Sequence, residues 1–170
     1  MSKTFYILDG HGLVYRAFHA ITGLTATDGR PTNAAFGFTR MLLDVIQRQS
    51  PDYLVAVFDA PGKTFRHKQY PEYKANRKPP PPELLQQIPI IQDIVTAYDI
   101  PMISIPDFEA DDVLGTLADL GQRKGYDVVL VTRDKDCGQL LTDRVRLYDP
   151  KQDTYISADD FECQKGIRPD

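Results

Sequence analysis

Thr4-Phe5-Tyr6-Ile7-Leu8-Asp9-Gly10 opens the chain with an apolar run that stops on a carboxylate and a glycine. Such a run reads as a buried β-strand, and Asp-Gly as the turn that leaves it. The same order recurs downstream. Tyr53–Phe58 runs into Asp59, and Met102–Ile105 is followed after a short link by Glu109, Asp111 and Asp112. Val128–Val131 precedes Asp134 and Asp136. Each of four strands therefore delivers acid at its carboxyl end. In an open α/β sheet those ends share one edge, where ligands bind.

Between the strands lie stretches of helical period. Leu13–Ala20 makes a short helix, and Ala34–Gln49 a longer one, with Phe38, Met41, Leu42, Val45 and Ile46 on one face. Ser50-Pro51-Asp52 ends it. Helix is expected again over 83–98, bent at Pro89, which lacks an N–H and crowds the preceding turn. A further helix spans 109–124 with Gly125 as C-cap, and short helices follow at 136–141 and after Ser157. A last strand covers 144–148. Strands alternating with helices imply one α/β domain over 1–170, a mostly parallel sheet flanked by helices on both faces.

Length and composition fit a single globular domain with a sizeable core. With 42% apolar and 26% charged residues the chain is neither disordered nor membrane-embedded in composition. No apolar run approaches the roughly 18 residues of a membrane span, and a strand beginning at Thr4 leaves no room for a signal peptide. Cys137 and Cys163 have neither metal-ligand nor redox spacing and read as reduced thiols of a cytoplasmic protein.

Seven carboxylates converging on one edge would repel one another and take up protons unless cations lay between them. Hard divalent ions, Mg²⁺ or Mn²⁺, suit oxygen ligands. Helix capping and dipole effects account for single acids, notably in the Glu109–Asp112 group, but less well for four successive coincidences. Glu109 and Asp112 share a helical face, whereas Glu109 and Asp111 point apart. Two ions about 4 Å apart can activate water on one side of a phosphorus and stabilise the departing oxygen on the other. A Walker-type glycine loop is absent from the sequence. His11, His19 and His67 cluster with no nucleophile and read as surface or packing residues.

The segment at about 60–82 has no helical or strand period and ends in Lys78 and four prolines, a stiff spacer. It carries Lys63, Arg66, Lys68, Lys74, Arg77 and Lys78 against one acid, Glu72, in a chain whose net charge is −4. Phe65, Tyr70 and Tyr73 interleave the cations. Cations track a phosphate backbone and rings stack on bases. Leaving the sheet after Asp59, the insert rises beside the acidic edge and would draw phosphate towards a pocket that would otherwise repel it.

Together these motifs resemble the 5′-nuclease (5′-3′ exonuclease and flap endonuclease) family of PIN-like, or resolvase-like, fold, which includes 5′-nuclease domains of bacterial DNA polymerase I. The resemblance is carried by Asp9-Gly10 with Tyr15–Ala20, Pro31–Ala34 with Phe36-Gly37-Phe38, and Val57-Phe58-Asp59. It continues through Tyr73–Arg77, Glu109–Asp112 and Thr132–Asp136. It implies metal-dependent cleavage of DNA near 5′ ends and 5′-flap junctions, in replication and repair. Asp9, Asp59, Glu109 and Asp111 would hold a first ion, and Asp112, Asp134 and Asp136 would hold or orient a second, with Asp111 indispensable to cleavage. Lys74 and Arg77, at the base of a basic helical arch, would contact the scissile phosphate, Tyr73 would stack on a base, and Arg66 would add a phosphate contact. The implied partners are DNA with a 5′ end or flap and a polymerase domain in the parent chain. The protein itself is expected to be monomeric, nucleoid-associated and independent of membranes.

Two departures stand out. Arg133 occupies a position where the family usually has glycine, and could pair with its neighbouring aspartates or with substrate phosphate. The family also continues into a helix-hairpin-helix region, so this sequence reads as the amino-terminal part of a larger protein, with the second ion site incomplete and duplex binding weak. A PIN-type ribonuclease and a catalytically incomplete DNA-binding fragment are the alternatives.

Overall fold

In a computed structural model describing residues 2–169, the opening run forms strand β1 (Thr4–Asp9). Beside it run β2 (Tyr53–Val57), β3 (Met102–Ile103), β4 (Asp127–Val131) and β5 (Val145–Asp149), all parallel. A short antiparallel strand, β6 (Thr154–Ile156), adds to β5. The order is β3-β2-β1-β4-β5-β6. The chain steps outward from β1 to β3, then crosses back to β4 on the other side of β1. This reversal opens a crevice at the carboxyl ends of β1 and β4. The register pairs Asp9 with Val57 and Leu8 with Val131, bringing Thr132 beside Asp9.

Alternation along the strands divides the core in two. Tyr6, Leu8, Val129 and Val131 face helices α1 (Gly10–Ala20), α2 (Asn33–Asp44), α4 (Pro82–Leu85) and α5 (Ile88–Ala97). Between α2 and α4 lies the short α3 (Phe65–Gln69) of the basic insert. Ile7, Val55, Val57, Val128 and Leu130 face α6 (Ala110–Arg123) and Ala158 of α7 (Ala158–Lys165). The expected doubly covered, mostly parallel sheet is what forms. Among the described residues no helix is long and apolar enough to cross a membrane, and both cysteines are free.

Several boundaries differ from the sequence reading. The helix expected to bend at Pro89 is instead interrupted before it, so that Pro89 falls in the first turn of α5, where a missing N–H costs nothing. The helix expected to reach Gln49 is α-helical only to Asp44 and finishes as a π-helical turn, Val45–Gln49, before left-handed Ser50. Strand β3 keeps two residues because its pairing with β2 extends no further. Strand β6 was not foreseen, since Thr154-Tyr155-Ile156 is too short for a periodic signal. The insert, expected to have no helical period, contains α3 followed by turns over 71–76.

One buried polar residue joins these helices. Gln87, with no exposed surface, accepts the amides of Ala34 and Ala35 at 2.8 and 3.1 Å. Its own amide donates to Asn33 Oδ1 and the Glu83 carbonyl. The orphan N–H groups at the start of α2 are thus satisfied by a side chain fifty residues away.

Candidate active site

The crevice is built from the Asp9 side outward. Asp9 is buried and caps α1, accepting the Gly12 amide on Oδ1 at 2.9 Å. A Cβ at Gly12 would strike that carboxylate, and one at Gly10 would meet the Phe58 ring at 2.6 Å, so both glycines are needed for this close turn. Thr132, itself buried, donates its hydroxyl to Asp9 Oδ2 at 2.7 Å and accepts the Asp134 amide at 3.0 Å. Asp134 in turn accepts the Asp136 amide at 2.9 Å. Across the crevice, Asp59 accepts the amide of Ala110, the first residue of α6, at 2.8 Å. Its own amide donates to His11 Nδ1 at 3.0 Å.

Asp9, Asp59, Asp111 and Asp134 share one electrostatic field. Burial raises the Asp9 pKa; its bonds from Thr132 and Gly12 oppose the rise, and the charges of Asp59 and Asp134 add to it. Asp111 is open to solvent on one side. Desolvation on the other, followed by the charges of Asp9, Asp134 and Asp59, pushes its carboxyl up to about 6, with Lys74 pulling the other way. Four acids from the ends of three strands and the start of α6 are therefore close enough for the charges of the other three to act on Asp111.

Glu109 and Asp112 are turned elsewhere. Glu109 accepts Lys74 Nζ at 2.7 Å and the Tyr73 hydroxyl at 2.9 Å, with Arg66 at 3.5 Å. Burial works against its ionisation, but the Lys74 and Tyr73 bonds outweigh it and hold the carboxyl below the usual range. Asp112 receives the Arg66 guanidinium on both oxygens at 2.7 Å and closes the helix start by accepting the Glu109 amide at 3.0 Å. Its pKa is lowered first by Arg66. Asp112 is thus placed as a cap and arginine partner rather than in the acidic group. Asp136 is exposed at the margin. Among the described residues no three acid, histidine or cysteine side chains are already gathered as a complete ion-binding set.

The donor chemistry nevertheless fits divalent ions. The donor groups are hard carboxylate oxygens, and a carboxyl driven up to about 6 by desolvation and then by three like charges is short of a cation. Asp9, Asp59, Asp111 and Asp134 are the residues that would hold such ions, and Glu109 could join once released by Lys74.

The basic insert lies against this edge as expected. Lys74 adopts a left-handed backbone, φ 56°, uncommon for a non-glycine residue. That turn aims its ammonium at Glu109. The Arg77 charge acts on Tyr15, which also senses Asp59. Arg66, read from sequence as a phosphate contact, is engaged by Asp112 and Glu109 here.

Sequence reasoning gives no site role to Thr132, Arg16 and Asp149, and sets His11 aside as a surface or packing residue. Thr132 had a signal, its place between a strand and an acidic loop. Arg16 and Asp149 pair across the fold with side chains only 12% and 6% exposed, a partnership no local pattern announces.

The sequence profile of the family described as 5′-3′ exonuclease, N-terminal resolvase-like domain, matches residues 4–166. A 5′-3′ exonuclease of Aquifex aeolicus is 42% identical over 167 residues, covering 98% of this chain and 58% of that protein. The thermostable DNA polymerase I of Thermus aquaticus is 39% identical over 165 residues, covering 96% of this chain and 20% of that one. The chain therefore spans from about a fifth to somewhat over half of these relatives. Among solved structures, a bacteriophage T5 flap endonuclease complex with DNA and metal ions superposes with a TM-score of 0.72 at 21% identity. It covers 97% of this chain and 61% of that one, a likeness of fold.

Proposed function

Since the chain belongs to the 5′-3′ exonuclease family, as an N-terminal resolvase-like domain, we propose that it carries the acidic centre of a metal-dependent 5′-nuclease. Its substrate would be DNA with a free 5′ end or a 5′ flap, and its parent chain would include a polymerase domain, as in the DNA polymerase I relatives. The observation that carries this reading is that the charges of Asp9, Asp134 and Asp59 all act on the partly buried Asp111.

Divalent ions bound there, two in the complete domain and Mg²⁺ or Mn²⁺ by the hardness of the ligands, would supply positive charge and a water of lowered pKa. The protein's own groups do the remainder. Lys74 and Arg77 would grip the phosphate to be cleaved, while Tyr73 offers a ring to an unpaired base. In the structure Lys74 and Tyr73 are held by Glu109, so an incoming phosphate competes with a carboxylate for the same donors. Asp9, fixed by Thr132 and Gly12, keeps its orientation whatever happens at Glu109.

A gel assay on 5′-flap DNA, single-stranded DNA and RNA, with Mg²⁺, with Mn²⁺ and with chelator, tests this function. Metal-dependent flap cleavage is expected. Cleavage of RNA alone would indicate a ribonuclease, and metal-independent binding without cleavage a DNA-binding module.

A further inference from the structure

Arg133 is a cation set between a strand end and the acid Asp134, where it would be expected to neutralise the carboxylates a metal needs. It does not do so. Its Nε lies 3.1 Å from Asp149 Oδ2. Asp149 closes β5, is buried, and receives Arg16 Nη1 and the amides of Lys151 and Gln152 on its other oxygen. Burial disfavours its charge, but Arg16 and those amides outweigh burial and keep it ionised. Asp149 is thus a fixed anion with one oxygen left for Arg133. Arg133, Asp134 and Asp149 also line one cavity of about 490 Å³, so the guanidinium and the Asp134 carboxylate open onto the same space.

We propose that Asp149 is a positioning residue of the metal site, holding Arg133 away from Asp134 so that this carboxylate stays free to join the acids that bind a divalent cation. The inference rests on the reading that these acids bind metal. A guanidinium released from Asp149 has a five-donor fork that matches a carboxylate, and Asp134 is the next residue in the chain. Once paired there, it competes directly with the ion. The Thr132 bonds to Asp9 and the Asp134 amide keep the loop in place meanwhile, so the effect is one of charge.

The test is a Mn²⁺ titration of the wild-type chain, Asp149→Asn, Arg133→Gln and the double variant, followed by the paramagnetic resonance of free Mn²⁺. Asp149→Asn should weaken Mn²⁺ binding about fivefold, the scale of one partly exposed ion pair. Arg133→Gln alone should bind within about twofold of wild type or more tightly, and the double variant should match it, again on the scale of a single exposed pair. A double variant as weak as Asp149→Asn, or Arg133→Gln more than about twofold weaker than wild type, would overturn the proposal. Should Asp149→Asn fail to fold because Arg16 is left unpaired, Arg16→Met/Asp149→Asn removes both buried charges together. That protein should bind Mn²⁺ weakly and be rescued by adding Arg133→Gln; absence of rescue overturns the proposal. Wild-type protein that binds no Mn²⁺ would remove the metal reading with it, whereas binding without rescue removes this inference alone.

Discussion

Thr132 holds Asp9: its hydroxyl donates to Asp9 Oδ2 at 2.7 Å while its oxygen accepts the Asp134 amide at 3.0 Å. A buried carboxylate at the end of β1 and an acidic loop at the end of β4 are thereby locked across the crevice where the sheet reverses direction. Thr132→Val keeps the shape and removes the hydroxyl. It leaves Asp9 with one donor fewer and should destabilise the fold by about 1–3 kcal/mol, the range for an unsatisfied buried group. Urea denaturation measures this. Mn²⁺ titrations should show the onset of binding displaced to higher pH, because losing a donor to the ionised form raises the Asp9 pKa further.

Asp111 offers a test with opposite signs for stability and activity. Burial and the neighbouring charges of Asp9, Asp134 and Asp59 push its carboxyl up to about 6, above the ordinary value of 3.8. Between those values the folded state holds the proton more firmly than the unfolded chain does. Stability from this group therefore falls as pH rises through that window, and the penalty is complete above about pH 6. Solvent on its open side tempers the effect. In chelator, Asp111→Asn should melt higher than wild type at pH 8, with the advantage shrinking towards pH 4. The same variant should abolish cleavage, read in the flap assay. Full turnover would remove Asp111 from the site.

Lys74→Ala separates fold from chemistry. Burial works against the Glu109 charge, but Lys74 and Tyr73 outweigh it and hold the carboxyl below its ordinary value of 4.5. Stability from the pair is present above about pH 4.5 and lost as pH falls through the lowered folded value. The variant should cost about 1 kcal/mol at neutral pH and nothing at low pH, as measured by denaturation at both. Single-turnover cleavage should slow with the domain still folded.

Gln87→Leu strips the amides of Ala34 and Ala35 of their acceptor inside the core. Two buried donors left unpaired should cost about 2–5 kcal/mol. Equilibrium denaturation reads the loss, and Mn²⁺ affinity in the folded fraction should be unchanged.

The parts legible in the sequence were those written in local pattern. Leu8-Asp9-Gly10 and Val131–Asp134 declared strand ends and acids, and their convergence followed from parallel topology alone. The period of 110–123 gave α6 within a residue or so. What could not be read was fixed by contacts between distant segments. Pro89 reads as a bend in sequence, whereas the break falls at Gln86-Gln87, where the Gln87 side chain reaches α2. Glu109 and Asp112 read as ion ligands in sequence, yet Arg66, Tyr73 and Lys74 from the insert claim both. Arg133 had several possible partners in sequence, and the structure selects Asp149, 16 residues on.

A crystal of the chain soaked in Mn²⁺ and measured at the manganese edge tests the central claim most directly. At least one anomalous peak is expected among Asp9, Asp59, Asp111 and Asp134, about 2.0–2.3 Å from carboxylate oxygens, as hard-ion coordination requires. A crevice without manganese, in crystals of protein that still cuts flap DNA in a metal-dependent way, would contradict it.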